Sequence, residues 1–226
     1  MKNYFPFTDY DFYAYLTGGG LLLVALDYAF SNSTYLSHEN WSFVQIMVAI
    51  ASAHVAGHIV AMLAQTILET FVVSKVISKP ISLQLGFVDP NWLEKITGAL
   101  VGRYYSSFPE TTRHRILEAA ATELGKPVEE VTDAEDVFQI GFRKSFDVEG
   151  ARSRIDDFRN QYGFCRNISF VALITTLLLI WKAWSDSGIQ ADWWLAVTGG
   201  LVFIGMFVRF VKFLSSFQAE VVRLVK

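Results

Sequence analysis

The sequence predicts an all-α membrane protein: four transmembrane helices, with a small helical cytoplasmic domain inserted between helices 2 and 3. Three observations carry this prediction. Of the 226 residues, 52% are hydrophobic and only 18% are charged, and mean hydropathy is +0.33; an ordinary soluble domain carries about 25% charged residues. The apolar residues gather in long runs at both ends and flank a charged middle. No segment keeps the alternation of a strand for long, whereas helical spacing recurs throughout. This apolar excess is more than one globule of this size can bury, which rules out a soluble secreted protein, a disordered tail and a disulfide scaffold.

A bilayer crossing takes roughly 17–25 mostly apolar residues in a helix. The first such run covers residues 12–30 and is broken by Gly18, Gly19, Gly20 and Asp27. Ala29-Phe30-Ser31 loosely resembles a signal-peptide cleavage site. Against cleavage, the stretch before the run has only Lys2 as a base and is diluted by Asp9 and Asp11. The second run covers 41–68, contains His54 and His58, and extends as a helix past Glu69 to Lys79, where Pro80 ends it. The third covers 168–184 and the fourth 193–213. The division that follows is 1–79 for helices 1 and 2 with their extension, 80–161 for the inserted domain, and 162–226 for helices 3 and 4 with a tail.

Within the insert, Pro90-Asn91-Trp92 opens an amphipathic stretch with Trp92, Leu93, Ile96, Leu100 and Tyr104 at helical spacing. Pro109, at a first-turn position, starts a second helix with Ile116, Leu117, Ala120 and Leu124 on one face, and Gly125 stands where a C-terminal cap belongs. Thr132-Asp133-Ala134-Glu135 has capping-box spacing and introduces Val137, Phe138, Ile140, Phe142 and Phe146. From Val148 a further helix runs through Ile155, Phe158 and Tyr162 into the third span.

Orientation follows from Lys and Arg. The short loops 31–40 and 185–192 hold none, whereas 69–166 holds thirteen of the nineteen and the tail after Phe207 four more. Lys182 alone lies near the other side, where its stem reaches the interface by snorkelling. Five of the six tryptophans (Trp41, Trp181, Trp184, Trp193 and Trp194) gather at that side as an aromatic belt. Both termini and the insert are therefore expected in the cytoplasm. Cys165 is the only cysteine, so no internal disulfide forms; it reads as a small buried residue before a palmitoylation site. Asn32-Ser33-Thr34 and Asn40-Trp41-Ser42 are glycosylation sequons that matter only in a glycosylating compartment.

The most informative polar constellation is in the second span. At 100° per residue, His54, His58, Gln65 and Glu69 fall within a stripe of roughly 60°. Ionisable groups inside a membrane are costly and normally face a bundle interior or water. Two readings stand with equal weight: a pore or cavity lining whose histidines change charge near neutral pH, and a polar seam that only packs helices. A metal or haem site is the less favoured reading because neither a cysteine nor a third histidine joins the pair, so no metal and no cofactor is expected. On the opposite face Ala49, Ser52, Ala53, Ala56 and Gly57 let another helix approach closely, as do Gly18 to Gly20 and, in the fourth span, Ala196, Gly199, Gly200 and Gly205. Such strips suit an oligomerising bundle and a lone bundle alike. Asp27 either pairs with Lys182 or reaches interfacial water.

Around the inner end of the third span lie Arg143, Lys144, Arg152, Arg154, Arg159 and Arg166. They are candidates for lipid headgroups or for an anionic ligand such as a nucleotide. Asp147, Glu149, Asp156 and Asp157 interleave with them, which favours a solvated face of i,i+4 ion pairs for most. The net charge of −3 gives no argument for duplex nucleic acid. The phosphate-binding loops, nucleophile elbows and metalloprotease or Cys-x-x-Cys motifs of common enzymes are missing, so no enzymatic activity is expected.

Two segments carry a family resemblance. Thr8-Asp9-Tyr10-Asp11-Phe12-Tyr13-Ala14-Tyr15-Leu16, running into the glycine-broken first span, and Phe158-Arg159-Asn160-Gln161-Tyr162-Gly163-Phe164-Cys165-Arg166-Asn167 at the start of the third resemble a group of small bacterial membrane proteins. Several of these sit in anti-phage defence loci, where a membrane effector responds to infection or to a nucleotide signal and damages the inner membrane. The resemblance implies a homo-oligomeric effector in the lipid bilayer. Its cytoplasmic domain would be switched by a nucleotide or oligonucleotide ligand, or by a soluble protein regulator from the same operon. It supplies no site residues. The alternative is a membrane scaffold that recruits a soluble partner without forming a pore; a lipid-modifying enzyme or small transporter using the histidines ranks last.

Overall fold

A computed structural model describes residues 11–31, 33–35, 37–89, 107–185 and 190–225. Over these residues the chain is all-helical, with no strand. The amphipathic stretch expected from Trp92 to Tyr104, the acceptor Asn32 and residues 8–10 of the first family motif lie outside them. A π-wound turn, Asp11–Leu16, leads into α1 (Thr17–Ser31). Helix α2 (Phe43–Ala64) continues as a π-wound segment, Gln65–Ile77. Then come α3 (Pro80–Gln84), α4 (Glu110–Leu124), a 3-10 turn (Val128–Glu130), α5 (Ala134–Lys144), α6 (Ala151–Ser185) and α7 (Gln190–Arg223). Four stretches are long and apolar enough to cross a bilayer: Ala14–Ser31, Phe43–Gln84, Ala151–Ser185 and Ala191–Arg223. They overlap the four runs read from the sequence, two of them starting two residues later, and make the chain a multi-pass membrane protein.

The chain forms two compact units. One comprises Met1–Leu68 and Gly163–Phe210; the other comprises Glu69–Tyr162 and Val211–Lys226. The second unit thus begins eleven residues before Pro80 and takes in the C-terminal turn that the sequence reading grouped with the spans.

In the first unit, glycine sets how close helices come. A Cβ on Gly19 would overlap the Ala53 carbonyl and the Gly57 amide of α2, and a Cβ on Gly57 would overlap the Tyr15 carbonyl. The backbones of the first two spans therefore touch, which only glycine at both positions allows. On the other pair of helices, Gly199 of α7 sits against the Thr176 side chain of α6, and Ser169 Oγ donates to the Phe203 carbonyl at 3.4 Å. Ala53 and Gly57, read as an assembly strip or a packing strip, are buried inside the chain's own bundle, while Ser52 is exposed. The outside is apolar: Phe43, Val44, Met47, Val55, Ile59 and Met62 of α2 and Leu195, Val197, Leu201, Val202 and Ile204 of α7 are exposed. A surface of this kind needs hydrocarbon around it.

The second unit has a closed apolar core. Ile81 and Leu85, Ile116, Ala120 and Ala121 of α4, Val131, Val137 and Ile140 of α5, and Val222 and Val225 near the C-terminus close on one another. Local signals place the ends. Pro80 occupies the first turn of α3 after the long helix stops at Ile77, and Gly125 caps α4 in the left-handed conformation at φ 65°. Two boundaries shift from the sequence reading. Pro109 is the N-cap of α4 rather than a first-turn residue. The cap of α5 is Asp133, whose carboxylate accepts the Glu135 amide at 2.8 Å, in place of Thr132; a carboxylate at the N-cap also complements the helix dipole. The final helix start also moves, from Val148 to Ala151, because Gly150 takes a positive φ of 75° just before it. The C-terminal part of α7 is tied in by Gln218 Oε1 accepting the Ile81 amide at 3.0 Å and by Gln84 Nε2 donating to Ser215 Oγ at 2.7 Å.

Two outcomes follow. Gly19→Leu forces backbone against side chain and lowers stability in detergent by about 1–3 kcal/mol, whereas Gly205→Ala, with open space around the new Cβ, stays within about 0.5 kcal/mol of the parent; thermal unfolding measures both. Deleting residues 221–226 removes the fully buried Val221, Val222 and Val225. At about 1.5–3 kcal/mol each, their loss rivals the whole stability of about 5–15 kcal/mol of a small domain, so limited proteolysis should cut rapidly between residues 107 and 150.

Candidate functional site

The capping box at the head of α2 fixes where its faces point. Ser42 N–H donates to Gln45 Oε1 at 2.8 Å and the Gln45 amide donates to Ser42 Oγ at 3.3 Å. From there the helix runs regularly, so His54 and His58, four residues apart, lie on one face. Their Nε2 atoms converge to 3.2 Å, with the rings at 87°. The contact at Gly57 brings Tyr15 to the same place: its ring stacks on His58 with centroids 4.1 Å apart at 21° and meets His54 edge-on at 6.3 Å. His54 and Tyr15 are half-buried; His58 is exposed, as is Gln65 farther along.

Glu69 is placed differently from the other three. It belongs to the second unit, is half-buried and lines a cavity of about 370 Å³ with Ser74, Lys79, Glu135, Arg159 and Tyr162 among others. The projection at 100° per residue assumes uniform α-helix, whereas the segment from Gln65 to Ile77 is π-wound; within it Ser74 Oγ donates to the Glu69 carbonyl at 3.2 Å. Tyr15 carried no mark in the sequence as a member of this site. The available signal was Gly57, a small residue one position from His58 that admits a neighbouring backbone.

A second polar cluster in the first unit is buried. Tyr28 donates its hydroxyl to Asp192 Oδ1 at 2.5 Å, and Lys182 donates to the Tyr28 carbonyl at 2.7 Å with its ammonium 4.2 Å from the centre of the Tyr28 ring. Asp192 is 1% and Lys182 6% exposed, so Lys182 is drawn inward rather than snorkelling. Asp27 Oδ1 accepts the Tyr35 amide at 3.4 Å. Neither Tyr28 nor Asp192 stood out in the sequence, Asp192 lying just before the expected fourth span. These contacts join α1, α6 and α7.

The six basic residues do not converge on a ligand pocket. Lys144 bridges to Glu123 at 2.9 Å and donates to the Val225 carbonyl at 3.1 Å. Arg154 pairs with Glu220 at 3.1 Å and Arg159 with Asp156 at 3.2 Å, while Arg152 lies over the Phe146 ring at 5.1 Å. Arg143 is exposed, and Arg166 is buried in the first unit, with Nε donating to Asn167 Oδ1 at 3.4 Å. The larger cavity of the second unit, about 660 Å³, is lined by two bases the sequence reading left aside, Lys212 and Arg223, with Glu220, Gln84, Phe108 and Phe213 among its other walls. No group of three or more metal-ligating His, Cys, Asp or Glu side chains occurs among the described residues.

The Lys144 ammonium, hydrogen-bonded to Glu123, holds that carboxyl below the usual carboxylate range. A lowered folded-state value means the stabilisation is complete above the unfolded value of about 4.3 and is lost as pH falls through the folded one. Glu123→Gln should therefore lower stability above about pH 5, leave it nearly unchanged in acid below both values, and so flatten the acid limb of the stability–pH curve. No known family model, curated protein or solved structure matches this chain, so its function has to be read from these residues.

Proposed function

We propose that the chain is an oligomeric membrane effector of bacterial anti-phage defence: a gated pore or membrane-disrupting protein in the inner membrane. Its termini and second unit are cytoplasmic, and that unit receives a nucleotide-type signal or a protein partner. One observation carries the reading. His58 and Gln65 are exposed and His54 half-buried on a span whose exposed surface is mostly large and apolar, interrupted besides them by Gln45, Ser52, Thr66 and Thr70. Polar groups in hydrocarbon are unfavourable and normally face protein or water. A second copy laid on this face would cover them, and a ring of copies would turn them toward an aqueous path. The excess of Lys and Arg in 69–166 and after Phe207 supports the orientation. A domain with its own soluble-type core and two cavities supports a sensor role. The boundaries between the two units all fall within continuous helical segments, at Glu69, Gly163 and Val211, which supports mechanical coupling of sensor to membrane.

The test is membrane potential in cells expressing the protein with its genomic neighbours under phage challenge. The wild type should depolarise the membrane, and the double variant His54→Leu/His58→Leu should not, while still inserting. A potential unchanged under every trigger, or a double variant as active as the parent, would overturn the reading in favour of a scaffold.

A further inference from the structure

We infer that His54 and His58 chelate a divalent transition-metal ion of the zinc class, completed by the same histidine pair of a second copy. The inference rests on the assembly reading above for its second half only. The carrying observation is the 3.2 Å between the two Nε2 atoms. Metal–imidazole bonds of about 2.0–2.1 Å meeting at a tetrahedral angle put the ligand atoms about 3.3–3.4 Å apart. The pair therefore already stands at nearly the bite of a tetrahedral ion, on a regular helix that costs little to organise. The Tyr15 ring stacked on His58 holds one of the two imidazoles in place.

Both nitrogens converge from one side of a single helix. That geometry excludes the two trans axial ligands of a haem and suits a compact ion. Imidazole is a good ligand for zinc, cobalt, nickel and copper. With no third His, Cys, Asp or Glu joining the pair among the described residues, one chain leaves two coordination positions open. His58 is exposed, so those positions face away from the chain's own bundle. A second copy related by a two-fold axis supplies two more imidazoles and closes the shell with four nitrogens, an isologous contact.

The experiment uses untagged full-length protein in detergent, titrated with Zn2+ by calorimetry and with Co2+ by its visible tetrahedral absorption. One ion per two chains is expected, with a Zn2+-dependent shift to dimer or larger on size exclusion. His54→Gln and His58→Gln should each weaken binding by more than the ~10–100-fold that loss of a supporting second-layer partner costs. Zn2+ should also protect His54 and His58 of the wild type from carbethoxylation, a readout that needs no variant to fold. No Zn2+ or Co2+ uptake, equal uptake by both variants, or one ion bound per monomer would overturn the inference. Oxidative cross-linking of Ile59→Cys separates it from the assembly reading: cross-links without metal uptake sink the metal site and leave the assembly standing, whereas neither cross-links nor uptake sinks both.

Discussion

The first unit depends on a contact between two backbones. Gly19 and Gly57 bring α1 and α2 so close that a methyl group at either position would occupy the space of a carbonyl on the partner. Hydrophobic burial cannot drive such an approach in lipid, where the tails are as apolar as leucine. Close van der Waals packing and the small volume of glycine have to do it. The rest of the site follows. With Gly57 taken up by Tyr15, the histidines on either side of it are neighbours of Tyr15 by geometry, and their shared face turns partly outward. A bulkier residue at 57 would part the ring stack as well as the helices.

The two units solve opposite problems with the same element. In the second, apolar residues of α4, α5 and the C-terminal turn point at one another and leave charges outside, where Lys79–Glu135, Lys144–Glu123 and Arg154–Glu220 pair in water. In the first, many small residues and the polar Asn167, Ser169, Lys182 and Asp192 turn inward, while a large share of the big apolar side chains of α2 and α7 turn out. Composition averaged over the chain hides this division: a mean hydropathy of +0.33 comes from one unit that needs hydrocarbon and one that does not.

Much of this was legible. Span number, the helices on either side of Gly125, the stop at Pro80 and the left-handed Gly125 follow from run length, periodicity and turn chemistry, which are local properties. What escaped depends on contacts far apart in sequence. Val222 and Val225 read as part of a tail after the fourth span; they pack into the core of the second unit, with partners, Ile81 and Val137 among them, that lie 85 or more positions earlier. Glu69 falls in the second unit, past the change of winding at Gln65, and no residue there announces a π-turn. The basic cluster looked dense in one dimension; folding set Arg154 and Lys144 against acids on other elements and put Arg166 into the other unit.

The buried cluster of Tyr28, Lys182 and Asp192 gives the histidine pair its meaning by contrast. An isolated charge in a low-dielectric interior carries a penalty of several kcal/mol, and hydrocarbon is no better an alternative. The chain meets this by drawing Lys182 under a carbonyl and a ring, and Asp192 against a phenol, until both are nearly sealed. The same physics governs the buried Asn167 and Ser169. Polar residues of this unit therefore have an available solution, which is to turn in. His58 and Gln65 do not take it, although they sit on a helix whose inner face of Ala53, Gly57, Val60, Ala61 and Ala64 is already filled by residues small enough to pack. Outward polar groups on such a span are stable only if something other than lipid covers them, and within the chain the stacked Tyr15 ring covers one face of His58 and leaves the residue exposed.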